Sequence, residues 1–136
     1  MDIIKEKTEV LARFAITDLD CDPDLITKQL KVMPTKVWRV GDDRAKAGSG
    51  LTFDNCGWRI ESELDRFRPV TDHVNHLISR MQPGWDFLRS VSDKYCIELA
   101  LAITMHAGDQ PELHFDPAIL GKLAEVKAHI DIDLYY

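Results

Sequence analysis

Residues 34–43 read PTKVWRVGDD and residues 56–64 read CGWRIESEL. Each carries one tryptophan inside a short alternating run, and the glycine-rich, polar segment between them has the composition of a hairpin loop. The pair predicts two neighbouring antiparallel strands, over residues 36–40 and 58–64. Alternation puts Trp38 and Val40 on one side of the first and Val37 and Arg39 on the other. In the second it sets Trp58, Ile60 and Leu64 against Arg59, Glu61 and Glu63. Both indoles are therefore expected in the core, under helices.

Upstream, residues 10–17 (VLARFAIT) alternate Val10, Ala12, Phe14 and Ile16 with Arg13 and Thr17, the pattern of a half-buried first strand. Asp22-Pro23 then reads as a helix start, Asp as N-cap and Pro at the first helical position, with Leu25, Ile26 and Leu30 as the apolar side. Pro34 forbids its continuation. Downstream, Val70, Val74, Leu77, Ile78 and Met81 predict a longer helix. Pro83-Gly84 should interrupt it before a second segment that carries Trp85, Leu88 and Val91 and ends near Lys94.

Residues 97–104 alternate Ile97, Leu99, Leu101 and Ile103 with Glu98, Ala100, Ala102 and Thr104, and predict a fourth strand. A second Asp-Pro start at Asp116-Pro117 opens a helix with Ile119, Leu120, Leu123 and Val126 inward. The last strand, residues 129–136, should turn Ile130, Ile132 and Leu134 inward and Asp131, Asp133 and Tyr135 outward. An Ala-Ile-Thr strand followed by a loop, an Asp-Pro helix and another strand occurs twice, which suggests a duplicated βαβ plan.

The order is that of an α+β, ferredoxin-like βαββαβ unit extended by a C-terminal helix and strand. Strands with one apolar face imply a mixed sheet with helices on one face only. The expected core sets Leu25, Ile26, Leu77, Ile78, Met81, Leu120 and Leu123 against Phe14, Ile16, Trp38, Trp58, Leu99, Leu101, Ile130 and Ile132.

A chain of 136 residues fits a single domain, 1–136, able to bury one core. An apolar fraction of 45% with 29% charged residues is that of a globular protein rather than a disordered one. No apolar run approaches the roughly 20 residues of a membrane span, and the opening MDIIKEKTEV has no secretory h-region, so a cytoplasmic protein without membrane contact is expected. Cys21, Cys56 and Cys96 are odd in number and lack CxxC spacing, which argues for reduced thiols, with Cys96 buried. A net charge of −6 argues against nucleic acid and for a basic protein partner.

The series LARFAIT, DPDLITKQL, PTKVWRVGD, GWRIES, LHFDPAILGKLAEV and HIDIDLYY resembles, over nearly the whole chain, the bacterial domain of unknown function family 4279. The resemblance brings no catalytic residue and no cofactor with it. What it implies is a small stand-alone protein of the kind that serves as a toxin-neutralising immunity protein.

The face away from the helices is expected to collect Arg13, Arg39, Arg59, Glu61, Glu63, Glu98, Asp131 and Asp133, interleaved with Ala15, Ala100 and Ala102. Such a face is either a solvated array of cross-strand ion pairs or a shallow floor whose charged rim grips a peptide, a partner or a second subunit in a homodimer. A second candidate is the loop between Gly41 and Gly57, where Trp38, Asp42, Asp43 and Arg44 could surround a small-molecule pocket, as binder or enzyme. Carboxylates in a flexible loop lack the burial that shifts a pKa toward catalytic use, and Gly48-Ser49-Gly50 lacks the spacing of a phosphate loop. His73 and His76 stand three apart without an evident third metal ligand and read as a solvated helix face. His106 and His114 read as turn residues. The expectation is a noncatalytic binding module.

Overall fold

The computed structural model describes residues 7–44, 48 and 50–136. Most of the opening MDIIKEKTEV, and Ser49 of the Gly48-Ser49-Gly50 run, lie outside the described residues. Among the described residues five strands form one mixed sheet, β1 (Glu9–Leu19), β2 (Lys36–Trp38), β3 (Cys56–Glu61), β4 (Cys96–Thr104) and β5 (His129–Tyr135), in the order β2-β3-β1-β4-β5. Central β1 runs antiparallel to both β3 and β4, β2 runs antiparallel to β3, and β5 lies parallel to β4. Helices α1 (Pro23–Leu30), α2 (Val70–Met81), α3 (Trp85–Val91) and α4 (Pro117–Glu125) complete an α+β architecture.

Both Asp-Pro starts cap as expected. Asp22 accepts from the Asp24 amide at 2.9 Å and Asp116 from the Ile119 amide at 2.8 Å, each satisfying a donor that the first helical turn cannot. Pro83 does interrupt the long helix: α2 stops at Met81, a 3₁₀ turn spans Gln82–Gly84, and α3 begins at Trp85. Gly84 is required there, because a β-carbon would stand 2.8 Å from Leu30 Cα and 3.0 Å from its carbonyl oxygen. The turn thus packs directly on the end of α1.

The core fills one side of the sheet. Phe14, Ile16, Trp58, Ile60, Leu99 and Leu101 are fully buried with Ile26, Leu77, Met81 and Leu88 from the helices. The Trp58 indole donates to Thr27 Oγ1 at 3.0 Å, which satisfies its one polar atom against α1. Phe14 and Trp85 meet at 6.2 Å between ring centroids. In these contacts α2 lies on β1 and α1 on β3.

Four expected core residues lie outside it. Leu25 and Leu120 are exposed on the outer sides of α1 and α4. Ile130 and Ile132 are exposed because β5 is an edge strand: among the described residues only β4 flanks it, and every one of its seven residues is exposed. Trp38 also lies outside the core. It pairs with Gly57, whereas Val37 pairs with Trp58, so the indole stands on the face opposite the core. Cys96, expected buried, is half-buried.

The two βαβ units differ. β4 and β5 are adjacent and parallel, but β3 lies between β1 and β2. Within the 41–57 segment the described residues next to the strands extend the hairpin. Gly41 N donates to Phe53 O, Phe53 N to Asp42 O and Arg44 N to Leu51 O, with a bridge between Asp43 and Thr52, so the hairpin continues past the end of β2.

Candidate functional site

Register assembles the outer face of the sheet row by row. One row runs across all five strands as Lys36, Arg59, Ala15, Glu98 and His129. The next reads Glu61, Arg13, Ala100 and Asp131, and the one after it Leu11, Ala102 and Asp133. Cations therefore gather on β2, β3 and β1, while the carboxylates Glu98, Asp131 and Asp133 gather on β4 and β5. Alanines floor the middle.

Glu61 holds the basic half together. Its Oε1 accepts an ion pair from Arg59 at 3.1 Å and another from Arg13 Nε at 3.5 Å. Only 20% of the Arg59 side chain is exposed, and its Nε is enclosed with no hydrogen-bond partner among the described residues. Burial, together with the neighbouring Arg13 charge, holds the Arg59 pKa below the ordinary arginine value. On the acidic half, burial and then the Asp131 charge push the Glu98 carboxyl up. Arg59 and Glu98, on either side of Ala15 in that row, thus each carry a charge whose surroundings disfavour it.

Beside the basic half stands an aromatic wall. The indole of Trp38 stacks on Phe53 at 5.1 Å and 24°, Arg59 sits 6.0 Å above the Trp38 ring, and Arg44 sits 5.8 Å above Phe53. A hollow of about 290 Å³ opens there, lined by Thr17, Asp18, Trp38, Arg44, Phe53, Asp54, Asn55 and Cys56. Of the expected loop residues, Trp38 and Arg44 line it. Asp42 instead accepts from the Arg39 amide at 2.7 Å, and Asp43 is taken up by the bridge to Thr52.

Two residues expected on the open face are elsewhere. β2 ends at Trp38, the chain turns, and Arg39 reaches Asp22 at 3.0 Å and Asp24 at 3.3 Å at the start of α1. The pairing lowers the Asp22 pKa and raises that of Arg39. β3 ends at Glu61, and Glu63 pairs at 3.0 Å with Arg80 of α2.

Two features went unread in the sequence. His73 is 1% exposed, not part of a solvated helix face, and its Nδ1 lies 2.6 Å from Ser62 Oγ. Its signal was present, since His73 falls in the Val70, Val74, Leu77 stripe. Ser62 Oγ also accepts from the Leu64 amide at 3.3 Å, so the pair fastens the end of β3 to α2. Second, a hollow of about 670 Å³ at the sheet's end is lined by Met105, His106, Pro111, Leu113, Leu134 and Tyr136 among others. Residues 105–116 have no periodicity from which it could have been inferred. There His106 Nε2 lies 3.1 Å from Glu9 Oε2, while the His114 carbonyl accepts from Thr71 Oγ1 at 3.3 Å.

Among the described residues no three or more His, Cys, Asp or Glu gather as a metal site, and no helix is long and apolar enough to cross a membrane. The family model described as Domain of unknown function (DUF4279) matches residues 6–136. The chain belongs to that family. No curated protein and no solved structure matches it. In this DUF4279 chain the quoted motifs fall on the fold's frame: GWRIES supplies Trp58 to the core and Arg59 and Glu61 to the charged face, and HIDIDLYY supplies the acidic edge.

Proposed function

We propose that the chain is a noncatalytic interaction module whose working surface is the charged face of the sheet. The observation that carries this reading is the Arg13, Glu61, Arg59 cluster. Two guanidiniums share one carboxylate oxygen, which leaves positive charge and an enclosed Nε–H of Arg59 without a partner among the described residues, beside a flat alanine floor. A solvated array of ion pairs would instead set opposite charges side by side on neighbouring strands, whereas here Glu98, Asp131 and Asp133 are sorted to the half away from Arg13 and Arg59.

The first four strands, in the order β2-β3-β1-β4 with antiparallel neighbours, fit a ferredoxin-like βαββαβ unit, to which α4 and β5 add a parallel extension. Helices on one face would leave the other, among the described residues, open to dock. A cytoplasmic protein of the toxin-neutralising immunity type would use such a face against a protein partner, basic groups meeting Glu98, Asp131 and Asp133. Ala102→Lys tests this. The new side chain has Asp133 beside it to pair with, so the fold is retained, while the floor is blocked. Loss of binding to a basic partner protein supports the proposal, and unchanged binding refutes it.

A second reading rests on the hollow beside Trp38 and Phe53, whose aromatic wall and Arg44 suit a planar, anionic small molecule. Thermal stabilisation by such a ligand that Arg44→Ala abolishes and Ala102→Lys leaves intact would favour it.

A further inference from the structure

We infer that, when no basic partner is bound, the charged face is covered by a second copy of the chain, docked face to face about a two-fold axis that runs parallel to the strands over β1. The inference rests on the reading of that face as the working surface. Charge on it is sorted by strand, and β1 is the central strand of five. Rotation about an axis along β1 exchanges β3 with β4 and β2 with β5. Arg59 and Glu98 lie in one row, each one strand away from Ala15, so Arg59 of either copy comes to face Glu98 of the other. The contact is reciprocal and forms twice, as an isologous interface requires.

Other placements lack this match. An axis across the strands would lay the basic half on the basic half. Pairing the free edges of two β5 strands antiparallel about Ile132 sets Asp131 opposite Asp133 twice, and centring on Asp131 sets it against itself. Over β1 the axis meets Ala15, 8% exposed, and Leu11, 41% exposed, which let the sheets approach and supply an apolar contact. Arg13 also lies there, so the axis sets it against Arg13 of the second copy, a like-charge contact that the shared Glu61 of each copy offsets in part. Five strands spaced about 4.8 Å apart give a face roughly 20 Å wide. That is the scale of an interface burying about 800 Å² per partner, and aligned sheets pack at about 30°.

The desolvated Arg59 and Glu98 of the row find their counter-charge in this arrangement. Arg59 has no carboxylate other than the shared Glu61 within ion-pair reach among the described residues, and Glu98 is crowded by Asp131. Docking supplies each with the other.

The test is the solution mass of the full chain by sedimentation, over a concentration series at low and high salt, for Arg59→Glu, Glu98→Lys and an equimolar mixture of the two. Wild type should double its mass at low salt, and its dissociation constant should rise by roughly tenfold or more at high salt. Each variant alone should be monomeric. Their mixture should dimerise again, because in the heterodimer both contacts are opposite in sign. The carboxylate introduced at position 59 of one variant meets the ammonium introduced at position 98 of the other, and the unaltered Glu98 of the first meets the unaltered Arg59 of the second. A folded mixture that stays monomeric overturns the inference. If Arg59→Glu fails to fold, Ala102→Lys takes its place: a mass that it leaves doubled, or one that Ile132→Lys on the β5 edge halves instead, is equally fatal. A wild type that is monomeric throughout overturns the second copy, yet leaves the face as a docking surface if Ala102→Lys still abolishes binding to a basic partner. Both fail if it does not.

Discussion

The indole of Trp38 lies against the backbone of Gly57, filling the space that a β-carbon at residue 57 would occupy. Gly57 is buried by this cover even though it faces away from the core. The tryptophan is in effect the side chain of its glycine neighbour across the strand pair, and it is held in place by Phe53 on its far side. Gly57→Ala should therefore displace the indole and cost about 1–3 kcal/mol. Denaturant unfolding followed by tryptophan fluorescence reads both effects, and an alanine protein with unchanged stability and emission would contradict the packing.

The two tryptophans should differ in what they contribute. Trp58 is fully enclosed, so Trp58→Ala should cost about 3–5 kcal/mol. Trp38 is half-buried on the wet face, and its truncation should cost clearly less. Thr27→Val removes the acceptor of the Trp58 indole N–H and should cost about 1–3 kcal/mol, although the valine fits the same volume. Equal losses for Trp38→Ala and Trp58→Ala would restore the register expected from alternation.

Gly84→Ala should cost about 1–3 kcal/mol, because the added methyl meets backbone atoms of Leu30 rather than a movable side-chain tip. Pro83→Ala leaves that contact untouched and should be far milder. A reversed ranking by thermal unfolding would place the strain in the proline instead.

His73 sets an acid limit on stability. Burial lowers its pKa below 6.5 in the folded protein, so the unfolded chain binds a proton first as pH falls. The His73 contribution is complete above about pH 6.5, is lost as pH falls below it, and stops changing below the folded-state pKa. His73→Gln should flatten the stability profile in that window, separately from the carboxylate-driven loss near pH 4. A slope that survives the substitution would assign it to another group.

Glu98 illustrates a cost of a docking face. Its raised pKa means that the charged form is disfavoured on folding, a penalty absent at low pH that grows as pH rises through the folded value. Glu98→Gln should leave the monomer at neutral pH as stable as wild type or more so, while weakening self-association. Lower monomer stability by chemical denaturation at a concentration where wild type is dissociated would contradict this.

The frame of the fold was legible where chemistry is local. Asp22-Pro23, Asp116-Pro117 and Pro83-Gly84 act within a turn of the chain, and the alternation of residues 97–104 survives because β4 has a neighbour on both sides. Alternation failed at strand ends. Arg39 and Glu63 were assigned by parity to a face their strands no longer reach, β2 stopping at Trp38 and β3 at Glu61. Parity also does not say which face of β2 is inner, and Gly57 opposite Trp38 was the physical clue, since only glycine admits an indole lying flat across it. On β5 the pattern was right but its meaning was not, because a strand at the edge is not enclosed. The rows of the charged face needed cross-strand register, which no single strand encodes.

Amide chemical shifts recorded as the protein is concentrated at low salt test the docking face most directly. Association through that face predicts shifts clustered at Ala15, Arg59, Glu98, Ala100 and Ala102, with α1, α4 and the residue 105–113 segment unmoved. Shifts confined to those helices, to that segment or to the β5 edge would contradict it.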